Sequence, residues 1–288
     1  MMWILYALLS AVMESFKDFV SKKNIQKVPY RMVAWSFSVF TALITAPLQF
    51  IFGIPYLDQT FFIYSIFTAF VFFLSVFIYM KAIELSDLSV TLPMVAFTPV
   101  FMLLTSPIIL GEFPGIFGIL GIVMIVFGAY FLKIKESKHG LLQPFKALIK
   151  ERGPMLMLIV AFIWSITGNT WKIVVQHSSV TFSIFFIYSI MAIFSSAWLL
   201  SRKKLDLGIV RKNFPSLFLI GIITTINELS FMTAITLTLA PFVVSVKRLS
   251  VLFGSLLGFS VLKEEGWRER IVGIFIMILG VATIYLLG

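Results

Sequence analysis

Apolar residues run along this chain in stretches of about twenty, separated by short polar punctuation. A helix needs about 20 mostly apolar residues to cross the hydrocarbon core of a bilayer. Windows of that kind centre on residues 3–21, 31–52, 61–82, 89–110, 114–133, 155–176, 180–200, 214–238, 240–262 and 268–287. Turn and charge signals lie between them, such as Gly53–Gln59, Gly111–Pro114, Gln176–Ser179 and Ala240–Pro241. Spans and turns fill nearly the whole chain and leave no room for a soluble domain. The longest connection, residues 134–152, enters "LLQPFKALIKERG" and reads as a short amphipathic segment on the membrane surface. The first window lacks a basic leader and a small-residue cleavage site, so it reads as a retained helix.

Composition agrees with that pattern. The 288 residues are 60% hydrophobic and 12% charged, against about a quarter charged in soluble domains. There are 23 Lys plus Arg against 13 Asp plus Glu. All the basic residues except Lys17, Lys172, Lys247 and Arg248 fall in alternate loops, such as Lys22–Arg31, Lys133–Arg152 and Arg202–Lys212. The positive-inside rule places those loops in the cytoplasm and both termini outside, in a plasma membrane. The basic excess therefore reports topology, and no nucleic-acid partner is expected. The chain has no cysteine, which excludes disulfides, thiol catalysis and Cys-bound metals. His139 and His177 are isolated, and no phosphate loop, zinc spacing or nucleophile elbow occurs. No cofactor and no metal are expected, and the protein reads as a non-enzyme.

The chain also repeats itself. At a shift of 152, Met80, Ala82, Ile83 and Leu85 meet Met232, Ala234, Ile235 and Leu237. Leu110 and Glu112 meet Leu262 and Glu264, while Gly121 and Gly128 meet Gly273 and Gly280. A second register, at a shift of 155, sets Ser10, Glu14 and Lys17 against Ser165, Asn169 and Lys172. Spacings of four and three put each trio on one helical face. Five spans in each half would insert the second upside down relative to the first, a recurring design of secondary transporters with a site near the midplane. The expected fold is all-α integral membrane, with ten transmembrane helices as two inverted five-helix repeats around a central cavity. The first repeat covers 1–133, a basic cytoplasmic linker 134–152 and the second repeat 153–288. Pro93, Pro99 and Pro107 in the fourth span would free carbonyls to line the cavity.

Three segments carry a resemblance. "WSITGNTWK" (164–172) lies in the sixth span, and "LGEFPGIFGILGIVMIVFG" (110–128) and "LKEEGWRERIVGIFIMILG" (262–280) each place a Glu before a Gly-bearing helix. In this order, over nearly the whole chain, they resemble the drug/metabolite transporter superfamily, EamA-like branch. The resemblance implies a basket of ten helices, with spans 1, 3, 4, 6, 8 and 9 lining a cavity and spans 5 and 10 packed outside. It implies export of amino acids, metabolites or drugs, often coupled to protons or exchange. The first span departs from it, with "SAVMESFKDF" (10–19) where many members have an aromatic-Gly pair.

Seven ionisable residues fall inside spans: Glu14, Lys17, Asp18, Lys172, Glu228, Lys247 and Arg248. Charges in hydrocarbon are costly, so such groups face partners or water and mark pathways. Glu228 is too deep to reach either surface, which suits a proton-coupling carboxyl or a structural partner of Lys247 or Arg248. Glu14 is two turns deeper than Lys22, whereas Lys17 and Asp18 are expected to snorkel to the interface. Asn169 replaces Glu14 in the second half and could bind substrate without titrating. Lys172 could line the cavity or snorkel. Lys247 and Arg248 differ by about 100° on a helix, so Arg248 would either hold a substrate carboxylate or be locked to Glu228 or Glu14. Trp164, with Trp35 and Trp171, could form a cation-binding wall.

These residues point to a monomeric secondary active transporter working among membrane lipids. Its substrate would be a small zwitterion or anion such as an amino acid, moved outward by alternating access with protons as the candidate coupling ion. A multidrug exporter of organic cations and a lipid or glycolipid flippase are the alternatives.

Overall fold

The computed structural model describes residues 2–86, 91, 94–134, 151–254 and 267–288, and its regular elements there are all helices. In chain order they are α1 (Met2–Ile25), α2 (Tyr30–Thr45), α3 (Leu48–Phe52), α4 (Gln59–Leu85), α5 (Thr98–Leu110) and α6 (Ile116–Ile134). There follow α7 (Arg152–Gln176), α8 (Val180–Ser201), α9 (Leu207–Lys212), α10 (Phe214–Leu237), α11 (Ala240–Lys247) and α12 (Trp267–Leu287). The linker segment 135–150, Pro93, and the part of the ninth span beyond Gly254 lie outside the described residues.

The polar punctuation becomes helix caps. The Asp58 carboxylate accepts the Phe61 amide (2.8 Å) at the start of α4, and the Ser179 hydroxyl accepts the Phe182 amide (3.2 Å) at the start of α8. Such caps satisfy donors that a helix N-terminus leaves free. Gly111 closes α5 at φ 69°, a left-handed conformation that glycine adopts without steric cost.

Five segments are long and apolar enough to span a bilayer: Tyr30–Phe52, Gln59–Leu85, Arg152–Gln176, Val180–Ser201 and Phe214–Leu237. Together they make a multi-pass membrane protein. α1 is as long as α10 but carries Glu14, Lys17 and Asp18 within two turns, all buried against other helices.

The packing pattern maps onto itself when the halves are exchanged. α1 packs on α10 as α4 packs on α7, and α5 lies against α7 as α11 lies against α1. α6 and α12 form their own pair. A Cβ at Gly121 would stand 2.7 Å from the Gly280 carbonyl oxygen, and one at Gly128 would stand 2.7 Å from that of Gly273. The two helices are therefore antiparallel and touch through backbone. Small residues permit that approach where no hydrophobic force drives helices together.

The helices flanking the bundle centre are interrupted at equivalent places. A turn at Ala96–Phe97 precedes α5, and a turn at Arg248–Leu249 follows α11. Each tightens through the same bond: Phe97 N to Met94 O (3.2 Å), and Leu249 N to Val246 O (2.9 Å). In the first half Pro99 has no N–H to offer the Val95 carbonyl, which takes the Thr98 hydroxyl instead (2.7 Å). The sequence pattern expects only the fourth span to be broken. The ninth breaks too, without a proline, at its pair of cations.

Candidate functional site

Polar side chains from five helices converge in the apolar bundle. Glu14 and Lys17 are three apart on α1, so they share a face, and Lys17 Nζ lies 2.5 Å from Glu14 Oε1. The other carboxylate oxygen accepts Asn227 Nδ2 from α10 (2.6 Å) and faces Lys247 Nζ from α11 (3.5 Å). Ser10 donates to Asn227 Oδ1 (2.6 Å), which fixes which way the amide points. Glu14 thus ties together α1, α10 and α11. It is 3% exposed, and a carboxylate that deep persists only when paired and hydrogen-bonded.

Aromatic rings face the chain's own cations here, and of the three tryptophans expected to form a cation-binding wall only Trp164 is among them. Lys17 Nζ lies 5.5, 5.4 and 5.9 Å from the ring centres of Phe37, Tyr79 and Trp164. Lys247 Nζ lies 4.3 Å from that of Phe231. Arg248 Cζ lies 5.7 Å from that of Trp164, whose indole N–H donates to Ser75 Oγ (2.9 Å) and so holds the ring in place. These separations are within cation–π range.

Arg248 differs from its neighbours. It is 3% exposed and, among the described residues, has no carboxylate within 4.0 Å and no hydrogen-bond partner for its Nε. The turn at Arg248 sends it towards Trp164 while Lys247 goes to Glu14. Glu228 is likewise buried without an ion pair among the described residues, and its neighbour is the Tyr188 hydroxyl.

Glu14, Lys17, Trp164, Glu228, Lys247 and Arg248 all line one cavity of about 50 Å³, together with Phe72, Thr167, Gly168, Trp171, Phe231 and Val244. That volume holds a few waters, so a metabolite needs the helices to move. Three cations and two carboxylates line it, and a third carboxylate, Asp18, stands 3.9 Å from Lys17 Nζ behind the lining.

Three sequence candidates lie elsewhere. Asn169 accepts from Ser106 Oγ (2.6 Å) and donates to Thr105 Oγ1 (3.0 Å) and Ser165 O (2.8 Å), which spends it on joining α7 to α5. Lys172 is paired with Glu112 and donates to Thr238 O (2.7 Å), away from the cavity lining. Trp35 donates to Ser196 Oγ (2.8 Å) between α2 and α8. The snorkelling expected of Lys17 and Asp18 does not occur. Lys17 turns inward to Glu14, and Asp18 accepts a hydrogen bond from Tyr79. Asn227 and Tyr79 were not singled out by the sequence. Asn227 directly precedes Glu228, and that adjacency was the available signal.

The EamA-like transporter family matches this chain over residues 1–134 and 151–286. A solved structure described only as "Crystal structure of protein" superposes with a TM-score of 0.76. It covers 99% of this chain and 97% of its own at 13% identity, a likeness of fold alone. No curated protein matches the chain.

Proposed function

Because the chain belongs to the EamA-like transporter family, we propose that it is a secondary active exporter of a small anionic or zwitterionic metabolite, an amino acid or a relative, working by alternating access in the plasma membrane. The observation that carries this reading is Arg248, a buried guanidinium without a carboxylate partner among the described residues, lying on Trp164 at the cavity wall. A planar guanidinium can take a carboxylate through two parallel hydrogen bonds, and such a substrate would complete the site. The cross-paired glycines of α6 and α12, and the matching helix breaks, support two inverted repeats, the architecture in which midplane sites alternate access. An organic-cation exporter fits less well, since Lys17 and Arg248 already stand against the aromatic faces that would hold a cation.

Glu228 is the coupling residue in this proposal. A carboxyl with no ion pair can exchange a proton without breaking a strut. Reconstituted protein should accumulate its amino acid or anion against a gradient when a pH difference is imposed. Glu228→Gln should exchange substrate at equal concentrations but no longer respond to that difference. Undiminished pH-driven accumulation by this variant would remove Glu228 from the mechanism.

A further inference from the structure

The helices around the cavity form two pairs, α1 with α10 and α4 with α7. Across the pairs, α1 shares little packing with α4, and α7 little with α10. Each gap is crossed by a lysine. Lys22 Nζ, near the end of α1, donates to Ile83 O (2.7 Å) and Ser86 O (3.1 Å) at the end of α4. Lys172, near the end of α7, donates to Thr238 O (2.7 Å) just past α10 and pairs with Glu112. The other Glu112 oxygen accepts the Ala240 amide (2.9 Å) at the start of α11.

These crossings lie at opposite ends of the bundle. Gly153, at the start of α7, abuts Ser86, since a Cβ there would stand 2.2 Å from Ser86 Oγ. His177, just beyond the other end of α7, meets Asp58 at the start of α4 (Nδ1 to Oδ2, 2.7 Å). Ser86 and Thr238 are also equivalent positions at the 152-residue shift. The donors are not: Lys17 is the counterpart of Lys172, and Lys22 lies five residues beyond it. Two different lysines thus reach equivalent helix ends. Terminal helix carbonyls have no intrahelical partner and carry partial negative charge, so an ammonium holds them well yet can be displaced.

We propose that Lys22 and Lys172 are latches on two opposed gates, and that this structure, latched at both ends around a small cavity, is the occluded state. The inference rests on the transporter reading, within which releasing Lys22 opens the cavity to one face of the membrane and releasing Lys172, with its partner Glu112, to the other.

The chain has no cysteine, so one can be placed at the cavity-lining Thr167 and its reaction with a membrane-impermeant maleimide followed from each face of sealed vesicles. Single cysteines at the exposed positions Tyr56 and Lys203 identify the two faces. On the Thr167→Cys background, Lys22→Ala should raise the labelling rate at least about tenfold from the Lys203 face alone. Lys172→Ala should do so from the Tyr56 face alone, and Lys22→Arg and Lys172→Arg should behave as the parent. If Lys172→Ala does not fold, Glu112→Gln is read in its place with the same sidedness. Unchanged labelling, or an equal rise from both faces, overturns the latches. Sided labelling in a protein that moves no amino acid or organic anion would keep the latches and discard the transporter reading. Transport without sided labelling would do the reverse.

Discussion

Arg248 lies with its guanidinium carbon 5.7 Å from the centre of the Trp164 ring and pairs with no carboxylate among the described residues, although Lys247 beside it lies 3.5 Å from Glu14. An unpartnered buried charge opposes folding and is kept for another reason. Arg248→Met should therefore leave thermal stability in detergent unchanged or raised. A loss of about 3–5 kcal/mol, the scale expected when one partner of a buried ion pair is removed, would show that Arg248 has a structural partner.

Glu14 should behave in the opposite way. It pairs with Lys17 and Lys247 and holds Asn227. Glu14→Gln leaves buried Lys247 without its carboxylate and Lys17 with only Asp18 at 3.9 Å, and such losses cost about 3–5 kcal/mol. Thermal unfolding should register a large drop. A variant as stable as the parent would mean the cluster is well hydrated and that Glu14 is not its centre.

The α6–α12 contact is tested by one methyl group. Gly121→Ala puts a Cβ 2.7 Å from the Gly280 carbonyl oxygen, and forced overpacking costs about 1–3 kcal/mol. The contact lies outside the cavity, so surviving protein should retain transport. Normal stability would show that the two helices are free to part.

Asp58 offers a pH test outside the membrane spans. The Phe61 amide chiefly, and then His177, hold its carboxyl below the usual range. A depressed carboxylate contributes stability above its ordinary pKa and loses it as pH falls through the folded value. Asp58→Asn keeps a capping side chain without that titration. Its stability should fall less between about pH 5 and 3 than the parent's. Parallel acid profiles would exclude the pairing as a contributor.

Much of this architecture could be read from the pattern of residues. Apolar windows located the helices, and the 152-residue register matched Gly121 and Gly128 with Gly273 and Gly280, the glycines that meet across α6 and α12. The site was legible where one residue carries the signal, as with Glu14, Glu228 and the Lys247–Arg248 pair. It was hidden where the partner is distant. Lys17 and Asp18 look able to reach the interface because helix position alone does not show Tyr79 and Phe37 waiting on other helices. Lys172 looks like a cavity residue until Glu112, sixty positions earlier, is folded onto it. The break at Arg248 had no local cause, since no proline or glycine lies between Phe242 and Phe253. The repeat sets Arg248–Leu249 against the turn at Ala96–Phe97, but the expectation confined the break to the proline-bearing fourth span.

Substrate charge tests the account most directly. Wild-type and Arg248→Ala protein in proteoliposomes should be compared for transport of neutral, zwitterionic, anionic and cationic forms of closely related small metabolites. The account predicts that the wild type moves substrates bearing a carboxylate. The variant should lose about 1.5–3 kcal/mol of their recognition, roughly 10- to 160-fold in apparent affinity, the scale of a charge-assisted hydrogen bond. Equal loss for cationic substrates, or carboxylate transport undiminished without Arg248, would contradict it.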